Sequence, residues 1–335
     1  MTNKTANRGV EAMNLRYLSR SDVEDLNISM SQIISVVEEG FRLKGLGKVQ
    51  MPPKIAVKSR GPESFLHAMP AYVGGLDIAA IKWVGGNDDN PDRGLPTISG
   101  LIVLNDPETM FPVCVMDAIW VTAVRTGAAN AVAMKYLGPA QAKTVSIVGC
   151  GVQGRSNLLA MATIYPEITE ARCFDVNPDA LERFVRESRD AYNFQITPAA
   201  SPREAVEEAD VVVTAGPSPK EPTPYLSEEW LKRGAMAAPV DYMGAWEGPM
   251  ASSVDRLITD DHGQMEYYRS KGYFRDVPRP YADLGEIVAG VKPGRQNPDE
   301  RTMSILLGIA LDDAVTANLI HQRAIEENIG TLLPL

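Results

Sequence analysis

A chain of 335 residues with 44% hydrophobic and 23% charged residues is long and apolar enough to build two domains with real cores. Its net charge of -10 argues against nucleic acid and anionic membrane as partners, while leaving room for a small anion in a locally positive pocket. Three widely spaced cysteines (Cys114, Cys150, Cys173) and three histidines (His67, His262, His321) with no metal-type pair argue against a disulfide framework and a zinc centre, so buried thiols in a reduced, cytoplasmic protein are expected.

The first residues, 1–13, lack the apolar core of a signal peptide and read as a frayed tail. No apolar run reaches the roughly 20 residues needed to span a bilayer. Residues Ser29 to Gly45 read as a helix: Ser29 and Gln32 make a capping-box pattern, and Ile33, Val36, Val37 and Phe41 share a face. From Lys54 to about Met116 the pattern is a run of strands, KIAVK, SFLHA, IAAIKWV, TISGLIVL and PVCVM, mostly antiparallel in character and separated by Gly, Pro and Asn-Asp clusters. Ala118 to Leu137 reads as a long helix.

From Ala142 the pattern changes to strands (TVSIVG, ARCFDV, FQITP, DVVVTA, AMAAP, RLITD), with helices between the first four, for example Asp179 to Ala191 and Pro202 to Glu208. That alternation predicts a parallel sheet. Asp299 to Asn328 reads as a further helical stretch, a C-terminal helix expected to fold back onto the first part of the chain.

The stretch VSIVGCGVQGRSNLL has a strand, then Gly149, Gly151 and Gly154 at the spacing G-x-G-x-x-G, then a helix from Arg155 to about Ile164. The next strand ends in Asp175. In this context the glycines predict a dinucleotide site: Gly149 for a tight turn, Gly151 for close approach to a pyrophosphate, Gly154 for helix–strand packing. Val152 and Gln153, between the second and third glycines, and Thr214, in DVVVTA, are assigned to the same cofactor set. Asp175 would accept from ribose hydroxyls and repel a 2′-phosphate. Val176, Asn177 and Pro178 supply no cation, so NAD is expected over NADP.

Two cations stand out in apolar surroundings, Lys82 in a strand and Arg125 in an Ala-rich helix. Either they reach solvent or pair with distant acids, or they face a pocket that binds a carboxylate. For Arg125 the second reading is favoured, because a guanidinium suits bidentate carboxylate recognition.

MPPK (51–54), AMPAY (68–72), IKWV (81–84), LPTISGLIVLND (95–106), TAVRTGAA (122–129), VGCGVQGRSN and DLGEI (283–287) together resemble the ornithine cyclodeaminase/mu-crystallin family, over nearly the whole chain. The resemblance implies an α/β protein: a Rossmann dinucleotide-binding domain plus a β-rich α+β substrate and dimerisation domain completed by the C-terminal helix. It places residues 14–120 and 308–335 in the substrate domain, and 121–307 in a linking helix and the NAD-binding domain. It also implies a homodimer.

The implied roles are carboxylate binding by Lys54, Lys82 and Arg125, proton transfer by Lys82 and Asp241, and contact with the nicotinamide by Thr97. Lys54 stands where relatives usually have arginine. His67 stands where ornithine cyclodeaminases tend to have a glutamate for the substrate's distal amine, and its simplest reading is a strand residue hydrogen-bonded locally. The expected substrate is a small amino acid or its imine. His67 shifts the expectation toward an amino-acid dehydrogenase or imine reductase. True ornithine cyclodeamination, giving proline and ammonia, and a non-catalytic NAD(P)-dependent binding protein are the alternatives. A hydroxy-acid dehydrogenase lacks support, since no histidine sits in a His–acid pair.

Overall fold

The computed structural model describes residues 14–57, 64–87, 89–218, 221 and 223–335. The expected tail, 1–13, and Lys58 of KIAVK lie outside the described residues. In chain order the first part contains β1 (Asn14–Leu18), α1 (Arg20–Asp25), α2 (Met30–Gly45), β2 (Val49–Gln50), β3 (Ile55–Val57), β4 (Ser64–Val73), β5 (Ile78–Asn87), β6 (Ile98–Asn105), β7 (Pro112–Asp117) and α3 (Ile119–Leu137). The second part runs β8 (Thr144–Val148), α4 (Val152–Ile164), β9 (Glu170–Phe174), α5 (Pro178–Arg189), β10 (Gln195–Pro198), α6 (Pro202–Val206), β11 (Val211–Thr214), β12 (Met236–Pro239), α7 (Met250–Ser253), β13 (Arg256–Thr259), α8 (His262–Ser270), β14 (Ala282–Asp283), α9 (Leu284–Val288) and β15 (Thr302–Ile305). The chain then returns to the first part through α10 (Ala310–Glu326) and β16 (Thr331–Pro334).

The first sheet has the order β16-β1-β7-β6-β5-β4-β2, with β3 also on β4. It is antiparallel except for the β1–β7 pair. Strand alternation sorts its faces. On β5, Ile78, Lys82 and Val84 are buried, whereas Trp83 on the opposite face is 44% exposed. The buried face is covered by α10, which packs on β4, β5 and α2. Ser29 caps α2 as its sequence predicts, accepting from the Gln32 N–H while the Gln32 side chain returns to the Ser29 N–H.

The second sheet is parallel throughout, in the order β10-β9-β8-β11-β12-β15-β13-β14. Its central strands, such as VVVT of β11, are buried along their whole length, as helices on both faces require. The chain moves outward from β8 in both directions, so β8 and β11 flank the switch point where such sheets bind ligands. The three cysteines are free and buried.

One expectation is corrected. The stretch 299–328 is not all helix: Thr302–Ile305 is a strand deep in the second sheet, and α10 starts only at Ala310. A short apolar run buried on both faces carries no period that separates strand from helix. The helix read over Pro202 to Glu208 ends at Val206, where Glu207 turns to extended backbone. The short elements β1, β2, β14, β16, α1, α7, α8 and α9 add to the expected set.

Candidate active site at the junction of the two sheets

The glycine loop joins β8 to α4. Gly149 takes φ +106°, a left-handed conformation that favours glycine, and a Cβ there would meet the Ala215 carbonyl carbon at 2.6 Å. Gly154 packs against the Gly149 carbonyl oxygen, with no room for a side chain. A Cβ on Gly151 would meet open space, so the loop's outer surface is accessible at that residue. Gly151 is also the N-cap of α4, which directs unpaired N–H groups outward there. This bare turn ahead of a helix N-terminus suits a pyrophosphate.

Asp175 follows β9 and accepts from the Cys150 N–H at 2.7 Å and the Asn177 N–H at 2.8 Å. The neighbouring Val176 is 76% exposed. Val152 is exposed, whereas Gln153 turns its Oε1 inward without a partner among the described residues. Thr214 does not present its hydroxyl to the loop: it donates to Asp241 Oδ1 at 2.8 Å. Thr97 lies in the connection before β6, half-buried, and its carbonyl accepts from the Asn87 N–H.

Asp241 stands just beyond β12. It is 2% exposed, and its Oδ2 accepts from the Ala245 N–H at 3.2 Å. Burial pushes its carboxyl up to about 6, against the lowering effect of the Thr214 hydrogen bond. The two residues after it, Tyr242 (φ +55°) and Met243 (φ +69°), adopt left-handed backbone that non-glycine residues rarely take. Strain of this kind beside a buried acid is a mark of a functional turn.

The cations converge from the first sheet and α3. Lys82 is 1% exposed, and its Nζ donates to Asp313 Oδ1 at 2.6 Å and to the Thr122 hydroxyl at 3.3 Å. Arg125 donates through Nε to the same Asp313 oxygen at 3.0 Å. Burial and the nearby Arg125 push Lys82 down to about 7, although Asp313 opposes the shift. Burial lowers Arg125 too, but Asp313 and Asp312 outweigh it and the net shift is upward. Neither cation reaches solvent. Both pair with an acid far along the chain, the first of the two alternatives the sequence left open, while Asp313 leaves the terminal nitrogens of Arg125 without a hydrogen bond to it.

Lys54 immediately precedes β3. Its Nζ donates to the Leu307 carbonyl at 2.6 Å and to the Tyr242 hydroxyl at 2.9 Å, and lies 5.0 Å from the centroid of the Tyr268 ring. His67 is on the inner face of β4, half-buried and stacked on Phe65 with centroids 4.5 Å apart. Burial, Lys54 and Lys82 hold its ring neutral, down to about 3. Among the described residues the His67 ring makes this stack and no local hydrogen bond of the expected kind.

Four residues escaped the sequence reading. Asp313 bridges Lys82 and Arg125. Asp312, wholly buried beside it, is pushed up to about 8 by burial, despite Arg125. Asp260 accepts from the Leu307 and Gly308 N–H groups at 2.8 and 2.7 Å, and burial pushes it up to about 6. Tyr242 joins Lys54 on the Leu307 carbonyl at 2.8 Å. The signal for the first two was present in ALDDAV, a carboxylate pair in an apolar helix with no cation nearby in sequence.

His262, Asp283 and Glu286 also approach one another, but Asp283 and Glu286 form the capping box of α9 and pair with Lys44 and Lys292. No helix among the described residues is long and apolar enough to cross a membrane.

Comparison with known proteins adds three findings. The model of the ornithine cyclodeaminase/mu-crystallin family matches residues 13–328. An alanine dehydrogenase of Archaeoglobus fulgidus is 36% identical over 332 residues, covering 95% of this chain and 98% of the relative. Two solved structures are similar throughout. A Thermococcus litoralis Δ1-pyrroline-2-carboxylate reductase in complex with NADH and L-proline has a TM-score of 0.85 at 32% identity, covering 95% of this chain and 99% of that one. An archaeal alanine dehydrogenase dimer with bound NAD has a TM-score of 0.84 at 33% identity, covering 96% and 99%.

Proposed function

The chain belongs to the ornithine cyclodeaminase/mu-crystallin family, and from that premise we propose that it is an NAD-dependent oxidoreductase acting at the α-carbon of a small amino acid with an uncharged side chain, or at the corresponding imine. One observation carries the choice of side chain. His67, where a distal ammonium would need an anionic partner, is held neutral by burial and by the positive charges of Lys54 and Lys82. Those charges repel the second ammonium of a diamino acid. An alanine-type dehydrogenase or an imine reductase therefore fits better than ornithine cyclodeamination. A non-catalytic binder has no use for a strained turn carrying a buried acid beside this cation set.

Gly149, Gly151 and Gly154 would hold the pyrophosphate and Asp175 the adenosine ribose. When bound, NAD supplies a hydride acceptor for the α-hydrogen. The chain's own groups do the rest. Arg125, Lys82 and Lys54 bind and orient the substrate carboxylate, which fixes the direction of the α-hydrogen. Asp241, in its carboxylate form above about pH 6, takes a proton from the substrate ammonium and leaves the neutral amine that oxidation requires. The resulting imine takes up water and loses ammonia, giving a 2-oxo acid. In the opposite direction Asp241 returns the proton.

The outer face of the first sheet supports a dimer. Ile55, Val57, Trp83 and Leu101 are 44–56% exposed on β3, β5 and β6, with β4 between β3 and β5 and Trp83 directly opposite Leu101. Such a patch suits a second copy of the chain, and light scattering should give twice the 36.4 kDa chain mass.

The test is to incubate the purified protein with NAD and L-alanine, other small amino acids or L-ornithine, following NADH, ammonia and proline together. NADH and ammonia rising in step with a neutral amino acid supports the reading. Proline and ammonia from ornithine without NADH accumulation overturns it. Turnover of NADH with a cyclic imine alone selects the reductase.

A further inference from the structure

Asp313 uses one oxygen for two cations. Oδ1 accepts from Lys82 Nζ and Arg125 Nε, while Oδ2 is buried with no hydrogen-bond partner among the described residues. The terminal nitrogens of Arg125 donate no hydrogen bond to an acid among the described residues, and NH1 lies 3.8 Å from Asp312 Oδ2. Asp313 thus ties the guanidinium by its inner nitrogen and leaves the two-pronged end, the part that matches a carboxylate, unclaimed.

We infer that Asp313 is a positioning residue: through Oδ1 it locks Lys82 and Arg125 into one carboxylate-binding unit. This deepens the function proposed above and rests on it for the identity of the carboxylate. The groups that act on Lys82 are Thr122 and Arg125 of α3, Lys54 and His67 from the edge of the first sheet, and Asp313 of α10. Among them Asp313 is the anion. Burial, Arg125 and Lys54 all drive the lysine toward its neutral form, and the negative charge of Asp313 on α10 opposes them. Without it Lys82 would titrate below about 7, and a larger share of the protein at neutral pH would lack this charged carboxylate donor.

The test compares Asp313→Asn, Asp313→Glu and Asp312→Asn with the parent protein, all in the NADH complex. Lysines carry 13C at Cε, and the Lys82 resonance is assigned by its loss in Lys82→Arg. NADH binding and thermal melting report folding. In Asp313→Asn the Lys82 titration should move down by roughly one pH unit or more, as loss of a hydrogen-bonded counter-charge requires. Asp313→Glu keeps the charge and should keep the titration near its original position. Asp312→Asn, which neutralises a carboxyl that does not touch Lys82, should also leave it in place.

An unchanged Lys82 titration in Asp313→Asn overturns the proposal. So does a shift in Asp313→Glu as large as that in the Asn variant. With a substrate in hand, the alkaline limb of 1/KM should move to lower pH in Asp313→Asn with kcat changed less. If no amino acid or imine is turned over by the parent protein, the function reading fails while the titration still decides the role of Asp313.

Discussion

The ammonium of Lys54 lies 2.6 Å from the carbonyl oxygen of Leu307, joining the edge of the first sheet to the short link that leaves β15 for α10. The same link is held by Asp260 through two N–H groups and by the Tyr242 hydroxyl. The cation proposed to bind substrate is thus also a fastening between the two halves of the molecule.

Replacing Lys54 by Met should therefore raise KM for the amino acid roughly 10- to 100-fold, the span expected for hydrogen bonds of a charged group worth about 1.5–3 kcal/mol. NADH affinity should change little. Steady-state kinetics with a separate NADH titration checks both. Equal losses in substrate and cofactor affinity would mean that Lys54 matters only as a fastening.

Asp241→Asn should lower kcat for amino-acid oxidation by about 10²–10⁴, the range for loss of a general base. In the parent protein kcat/KM should fall as pH drops through about 6, because protonated Asp241 cannot accept a proton. The variant should lack that limb. The stability effect has the opposite sign. Between the ordinary value of 3.8 and about 6 the folded chain keeps a proton that the unfolded chain releases, so this group's contribution to stability declines as pH rises through that window. Melting curves across the window should be flatter for Asp241→Asn.

Gly308 sits at φ +73°, and a Cβ there would come 2.5 Å from Arg125 NH1. Gly308→Ala should cost about 1 kcal/mol of stability from its backbone conformation. It should also push the guanidinium aside and raise KM for the carboxylate substrate. Melting temperature and KM measured on one preparation check this. An unaltered KM would place the free end of Arg125 away from the substrate.

Asp175→Ser combined with Val176→Arg should move the ratio of kcat/KM for NADP over NAD upward by roughly tenfold or more, since a repulsive carboxylate gives way to a cation. Assays with both cofactors decide it. A parent protein that already prefers NADP would show that Asp175 does not select against the 2′-phosphate.

Much of the fold was legible because its signals are local. Gly149, Gly151, Gly154 and Asp175 lie within one strand–helix–strand unit, and the capping pair Ser29 and Gln32 within one turn. The strand at Thr302–Ile305 was missed because full burial erases the alternation that marks a half-buried strand. The partner of Lys82 and Arg125 was missed for another reason. Asp313 is 231 residues from Lys82 and 188 from Arg125, so composition near either cation offered no hint of it. A buried acid and a buried base are each anomalous in isolation, and pairing them requires the tertiary fold. Thr214 belongs to the expected cofactor set, and the structure shows its hydroxyl donating to Asp241.

The return of α10 to the first sheet sets an order of assembly. During synthesis Lys54, Lys82 and Arg125 leave the ribosome well before Asp260, Asp312 and Asp313 exist. The first sheet can pair its strands early, but its inner face then presents uncompensated positive charge and an apolar surface waiting for a helix. The site and the core beneath it close together, once α10 is available to cover the sheet. A chain stopped before α10 would fail first in the sheet that was made earliest.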